Sequence, residues 1–207
     1  MPEVKPIPRK ERARATRGRI VAAAYELFAE RGFTGTTMPD VAAAAGVAVQ
    51  TVYLVFRTKT ALLDQVYAAA VLGADEVRPL DSEWFRAAIT EREPRRSLQI
   101  MLAGVLSVSA RVAPLAATMD TVHDDEIKAL RAEKEALRRQ VHRAFVEHLK
   151  KMGALRPGLT IDRATDLFLG LASPAMYHAM TADHGWVDQQ WASQLLDLLA
   201  HGLLRSG

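Results

Sequence analysis

The sequence contains no cysteine among its 207 residues. This absence excludes disulfide bonds, thiolate catalysis and cysteine metal sites, and it suits a reducing cytoplasm. Aromatic residues are also scarce, at 6% of the chain. Strands favour aromatic and β-branched side chains, whereas Ala and Leu favour helices. We therefore expect a chain this rich in Ala and Leu to be helical.

Signals for a membrane or for export are missing as well. The N-terminus has no apolar signal core, and no uninterrupted apolar run reaches the length of about 18 residues that a membrane span needs. We expect a cytoplasmic protein with no membrane partner.

Signatures of enzymes and metal sites are also absent. The chain has no Gly-x-Ser-x-Gly elbow, no glycine-rich phosphate loop after a strand and no carboxylate pair in an apolar setting. The acidic run 124–126 stands at the start of a predicted helix, where negative charge is structurally favourable. The histidines form no i, i+4 pair. We expect no catalysis, no metal and no cofactor.

Charge is distributed unevenly along the chain, although the net charge is only +3. Residues 1–60 carry ten basic and five acidic side chains, whereas residues 61–207 carry 17 and 19. A basic N-terminal third on a slightly acidic body indicates a polyanionic partner for that third. A solubilising basic tail is the alternative that charge alone leaves open.

Apolar residues recur at helical spacing along the whole chain, and no strand pattern or internal repeat is found. Residues 1–11 contain three prolines and are predicted to be a disordered basic arm. The predicted helices cover residues 12–31, 38–45, 48–55, a segment that begins after Thr58, 82–91, 95–111, 114–122, 124–152, 161–182 and 187–204.

Two short helices in residues 37–59, TMPDVAAAAGVAVQTVYLVFRTK, form the most informative segment. Thr37 and Asp40 have the spacing of a capping box at the start of the first helix. Gly46 can adopt the positive φ that a sharp turn needs. Such a glycine-centred pair is typical of a helix-turn-helix, and the outer face of its second helix carries Ala48, Gln50, Thr51, Tyr53 and Leu54.

The stretch GFTGTTMPDVAAAAGVAVQTVYLVFRTKTALL resembles the N-terminal domain of the TetR/AcrR-type transcriptional regulators. The resemblance runs from Arg17 to about Leu63. It implies an all-α protein with a three-helix DNA-binding domain that contains the helix-turn-helix, followed by a larger helical domain for ligand binding and dimerisation. We expect the arm at 1–11, the DNA-binding domain at 12–57 and the second domain at 58–207.

The resemblance also implies roles for single residues. The helix over 48–55 would enter the major groove of double-stranded operator DNA, with Ala48 on its outer face and with Gln50 and Thr51 reaching bases or phosphates. The Tyr53 hydroxyl and the Lys59 ammonium would contact phosphate. Thr37 would cap its helix and touch phosphate. A packing tyrosine, a solvated lysine and a plain cap are the alternatives.

Two features depart from the family's pattern. Leu54-Val55 stands where relatives carry a polar or aromatic pair, and this leaves apolar contact with thymine methyl groups as a substitute for polar readout. Gln50 stands where many relatives have Gly. The basic residues near the N-terminus are expected to follow the DNA backbone or minor groove, namely Lys5, Arg9, Lys10, Arg12, Arg14, Arg17 and Arg19.

The second domain is expected to form a homodimer and to bind a small lipophilic effector. Its last two predicted helices are more apolar than packing within one chain requires, which indicates a two-fold interface through Phe168, Leu171, Ala175, Trp191, Leu195, Leu198 and Leu199. The candidate lining of the effector pocket is Met101, Val105, Met119, His123, Phe145, His148, Leu149 and Tyr177.

The sequence therefore predicts a DNA-binding transcriptional repressor that a small molecule releases from a pseudopalindromic operator. A transcriptional activator of the same fold is the main alternative. A helical interaction protein with no role on DNA is a weaker one, because it would need neither the capped, glycine-centred turn nor the basic surplus.

Overall fold

The computed structural model describes residues 9–205. This part of the chain is all-α, as predicted, with one isolated bridge between Leu155 and Leu204. A 3₁₀ turn covers Pro79–Asp81, and a π-helical turn covers Ala179–Asp183. The helices are α1 (Arg9–Arg31), α2 (Met38–Ala45), α3 (Val49–Phe56), α4 (Lys59–Leu72), α5 (Glu83–Thr90), α6 (Pro94–Asp120), α7 (Asp125–Lys151), α8 (Ile161–Leu171), α9 (Pro174–His178) and α10 (Asp188–Leu203).

The described residues divide into two compact units, which we call the N-terminal and C-terminal units, with the boundary between Ala69 and Ala70. The boundary lies inside α4, not before it at residue 58. The early part of α4 is tied to the N-terminal unit because Lys59 and Gln65 bond to Phe33 and Arg17.

Helix α1 begins three residues earlier than the sequence predicts. Arg9, Lys10 and Glu11 belong to it and not to a disordered arm. Long unbranched charged side chains lose little freedom in a helix, so this basic stretch continues the helix outward. Lys5, with the rest of the predicted arm at residues 1–8, lies outside the described residues.

Helix α6 is one continuous helix, so the predicted break between residues 111 and 114 is wrong. Pro114 lies inside it. A proline in a helix interior costs about 3 kcal/mol because it removes a backbone hydrogen bond and crowds the preceding turn. Val112, Ala113 and Leu115 around it are almost fully buried, and that packing offsets the cost.

Helix α6 is also long and apolar enough to cross a membrane by length and composition alone. Half of its most apolar stretch is buried inside the protein, as in the core helix of a folded unit. The core of the C-terminal unit is built around it. The indole of Trp84 lies against Gly104, where a Cβ atom would stand 2.1 Å from Trp84 Cδ2.

The predicted helix at 161–182 is wrong in its middle. Helix α8 ends at Leu171, and α9 starts afresh at Pro174 with Ser173 as its N-cap, accepting from Met176 N at 3.1 Å. A residue before proline avoids the helical region, and proline suits the first turn of a new helix. The dipeptide Ser173-Pro174 therefore separates the two helices.

Three arginines of α7 bond to acceptors on α8. Their acceptors set the register of the two helices, although partly exposed ion pairs contribute little stability each. Arg138 donates to Leu169 O at 2.8 Å, Arg139 pairs with Asp166 at 2.6 Å, and Arg143 pairs with Asp162.

Candidate nucleic-acid interface

Helices α2 and α3 meet at a sharp turn, with 112° between them. Gly46 makes the turn with φ 64°, and its N–H bonds to Ala43 O at 3.2 Å. Val41 and Val52 are fully buried on the inner side of the two helices. This is the geometry of a helix-turn-helix, in which two helices cross at about 90–120°.

Thr37 caps α2 as predicted. Its hydroxyl accepts from Asp40 N at 3.2 Å and donates to Asp40 Oδ2 at 2.6 Å, while Thr37 N donates to the same oxygen at 2.9 Å. The hydrogen bond from the Thr37 hydroxyl, with that from its backbone, lowers the pKa of Asp40 below its usual value. Because the only hydroxyl hydrogen of Thr37 goes to Asp40, the cap is the role that the geometry supports.

Lys59 is not a free surface lysine. Its Nζ donates to Phe33 O at 2.6 Å and to Thr36 O at 2.8 Å, and it lies 4.3 Å from the centroid of the Phe33 ring. Burial lowers the pKa of Lys59. Two of the three ammonium hydrogens are therefore used to hold the start of α4 against the α1–α2 connection, which leaves one for a phosphate.

The outer face of α3 is open. Ala48, Gln50, Tyr53 and Leu54 are exposed, and Thr51 is half-buried. No residue from 41 to 56 is charged. Ala48 is the N-cap of α3 and offers no side-chain acceptor to its first N–H groups. This face thus presents an amide, two hydroxyl groups and one large apolar side chain.

Helix α1 carries basic side chains, and one of them contacts the buried end of α3. The Arg17 guanidinium donates to Gln65 Oε1 at 2.6 Å and lies 4.8 Å from the centroid of Phe56, the last residue of α3. Arg9, Lys10, Arg12, Arg14 and Arg19 are exposed on the same helix.

Two supporting residues, Thr36 and Arg57, are not among the predicted site residues. Thr36 is fully buried, and its hydroxyl lies 3.1 Å from Leu27 O and 2.9 Å from Gly32 O. Arg57 ends α3 with φ 60°, a strained value for a residue other than glycine. A threonine beside the Thr37 cap could have been noticed as a second polar residue in an apolar setting, whereas nothing predicts the backbone of Arg57.

The C-terminal unit corrects part of the predicted dimer surface. Phe168, Trp191, Leu195 and Leu199 are at most 4% exposed within one chain, so they build its core and cannot supply an interface. Ala175 and Leu198 keep exposed surface, and Leu171 is half-buried. Leu167 lies one turn before Leu171 in α8 and is 43% exposed.

The predicted effector residues also divide by burial. Met101, Val105, Met119, Phe145 and Leu149 are buried, His148 and Tyr177 are half-buried, and His123 is exposed and therefore not part of an internal lining. Two open surface depressions are lined by Leu159, Arg163, Asp166 and Leu167, and by Gly185, Trp186, Gln190, Ser193 and Gln194. Neither contains a predicted effector residue.

Unpaired polar atoms lie inside the C-terminal unit. His142 is 2% exposed, its Nδ1 bonds to Arg138 O at 2.8 Å, and its ring packs edge-on to Phe168 at 4.7 Å. Its Nε2 has no hydrogen-bond partner within residues 9–205, and neither has the indole N–H of buried Trp191. Burial lowers the pKa of His142 to about 4.

A profile of the family described as bacterial regulatory proteins, tetR family, matches residues 20–66, which contain the turn and both of its helices. The N-terminal unit is a TetR-family domain. The regulator TtgR of Pseudomonas putida is 40% identical over 81 residues, which are 34% of this chain. The match spans only 39% of the length of TtgR.

Solved structures with this TetR-type fold match nearly the whole chain. The structure of NalD, described as the secondary repressor of the MexAB-OprM multidrug efflux pump in Pseudomonas aeruginosa, has a TM-score of 0.72 at 23% identity and covers 95% of this chain and 100% of its own. FadR from Bacillus subtilis, solved with stearoyl-CoA, has a TM-score of 0.73 at 19% identity, with coverage of 89% and 98%. At these identities the matches show a shared fold.

Proposed function

We propose that this TetR-family chain is a transcriptional repressor that binds operator DNA as a homodimer and is released by a small lipophilic effector. The observation that carries the proposal is the open, uncharged outer face of α3 on a helix-turn-helix, in a unit whose α1 carries exposed basic side chains. A helix that displays amide and hydroxyl groups can read base edges in the major groove, while nearby cations bind phosphates.

The relatives support the regulatory role. TtgR is named as a helix-turn-helix transcriptional regulator and NalD as a repressor. The description of NalD as a repressor favours repression over activation. The position of the bound operator distinguishes the two roles, because a repressor's operator overlaps the promoter of the gene it controls.

DNA binding is tested by selecting duplexes from a random-sequence pool with the full chain and measuring affinity by fluorescence anisotropy. We expect a selected pseudopalindrome and an affinity that falls steeply with salt, since bound phosphates release counterions. Tyr53→Phe removes one hydroxyl and should weaken binding about fivefold to all sequences, the value of one hydrogen bond.

Gln50→Ala should instead change the preferred base at one position, because glutamine can make a paired contact with adenine. Gln140→Ala, at an exposed site of α7, is the matched control and should change nothing. Failure of the full chain to enrich any duplex refutes the proposal. Equal, sequence-independent losses in the Tyr53 and Gln50 variants refute the reading role of Gln50.

Dimerisation is proposed through the apolar side chains that α8 and α10 leave exposed. Leu167 and Leu198 are 43% and 46% exposed. We expect a dimer by sedimentation equilibrium, and we expect Leu198→Glu to give monomers that bind half of the operator weakly. Leu80→Glu, at an exposed leucine far from α8 and α10 in the sequence, should stay dimeric. A dimer that survives Leu167→Glu with Leu198→Glu refutes this surface.

Effector binding is proposed beside Phe145 and Phe168 in the core of the C-terminal unit, where an apolar ligand that opens this packing could donate a hydrogen bond from one polar group to the unpaired Nε2 of His142. FadR, with the same fold, holds stearoyl-CoA. Stearoyl-CoA, stearate and a set of small apolar compounds should be screened for a rise in melting temperature and a loss of DNA affinity. No response to any of them would refute the effector half of the proposal.

A further inference from the structure

Leu54 is the most exposed large apolar side chain in the described residues, at 82% of its surface. It lies on α3 four residues after Gln50 and three after Thr51, so the three side chains share one face of the helix. No residue from 9 to 69 covers more than a small part of this leucine. A leucine left in water at the centre of a polar face gains free energy when another molecule buries it.

The occupant can be argued from chemistry if α3 enters the major groove, so this inference rests on the proposed function. Base edges in the groove present hydrogen-bond donors and acceptors, and a leucine can pair with none of them. Covering such a group with leucine would leave it without water or a partner, at a cost of about 1–3 kcal/mol. In unmodified DNA the 5-methyl group of thymine is the one apolar group in that groove.

Charge complementarity supports DNA as the partner that buries Leu54, in preference to a molecule with an apolar surface. The N-terminal unit is basic in its first 60 residues, with ten basic and five acidic side chains, whereas α3 itself is uncharged. A neutral reading face within a basic unit suits a partner that has phosphates outside and neutral base edges inside.

We propose that Leu54 selects a thymine through its 5-methyl group. Four residues of helix rise about 6 Å, which is close to two base-pair steps. The thymine therefore lies within about two base pairs of the position at which Gln50→Ala changes the preferred base.

The test removes the methyl group and nothing else. In a synthetic copy of the selected duplex, each thymine of one half-site is replaced in turn by deoxyuridine, and affinity is measured for the full-length wild type and for Leu54→Ala. One substitution, near the Gln50 position, should weaken wild-type binding about fourfold, the value of burying one methyl group. Leu54→Ala should bind the thymine and deoxyuridine duplexes at that position equally.

Two controls make the result specific. Leu80→Ala makes the same change at an exposed leucine of the C-terminal unit and should keep the fourfold preference. Leu54→Ala should keep the wild-type melting temperature, because its side chain packs against little in the folded chain.

The outcomes are distinct. A wild type that enriches no duplex overturns both this inference and the proposed function. A wild type that binds a selected duplex but tolerates every deoxyuridine overturns this inference alone, as does a Leu54→Ala variant that keeps the wild-type loss at the same position. A shifted oligomeric state in Leu54→Ala, without a change at any thymine, would assign Leu54 to a contact between chains and also overturns it.

Discussion

The buried histidine of α7 leads to a quantitative prediction about acid stability. His142 is 2% exposed, and burial lowers its pKa from the usual 6.5 to about 4. Its Nδ1–H donates to Arg138 O, because a carbonyl oxygen can only accept, so Nε2 carries the lone pair. Protonation would place a hydrogen on an atom that no acceptor in the described part of the chain can reach.

The direction in which pH changes the unfolding free energy follows from proton binding. Between pH 6.5 and pH 4 the unfolded chain protonates this histidine and the folded chain does not, so the free energy of unfolding falls as the pH falls. At about 1.4 kcal/mol per pH unit, this one group removes about 3 kcal/mol across that interval. The contribution is fully present above pH 6.5 and is lost below pH 4.

Urea unfolding followed by tryptophan fluorescence reports on this unit, since Trp84, Trp186 and Trp191 all lie in it. His142→Phe should flatten the dependence of unfolding free energy on pH between 4 and 6.5, whatever its effect at pH 7. His201→Phe is the matched control, because His201 makes the same bond to the carbonyl four residues earlier at an exposed site. A His142→Phe protein with the wild-type slope would refute the reasoning.

Four further predictions concern stability. Lys59→Met should lower the unfolding free energy of the N-terminal unit by about 2 kcal/mol, measured by hydrogen exchange, because two carbonyls lose a charged donor. Lys59→Arg should recover part of that loss. An unchanged exchange pattern in Lys59→Met would leave Lys59 with a phosphate-binding role alone. Gly104→Ala should lower the unfolding free energy by at least 1–3 kcal/mol, roughly the cost of overpacking, since Trp84 must move. Gly18→Ala, in an open stretch of α1, should instead stabilise by up to about 1 kcal/mol in the same denaturation assay. Gly46→Ala meets no atom within 4 Å, so its cost should be the left-handed backbone alone, about 1 kcal/mol in circular-dichroism melts, and Gly46→Asn should cost less.

Local rules in the sequence were enough to determine the helix-turn-helix. The Thr37–Asp40 capping box and the Gly46 turn depend on residues within a few positions of each other, and both are found as predicted. The outward direction of Gln50, Tyr53 and Leu54 follows from helical periodicity once the inner face is known. Fold class and family were therefore available from the sequence.

Only the tertiary structure decided features that depend on distant parts of the chain. Pro114 predicts a helix break, yet α6 continues past it because the residues around it are packed in the core. The apolar residues of α8 and α10 predict a dimer surface, yet Phe168 and Leu195 fill the core of their own unit. The position of Lys59 indicates a phosphate ligand, yet two carbonyls more than twenty residues earlier hold it. In each case burial or pairing by residues remote in sequence outweighs the local preference, and a sequence pattern does not contain that energy.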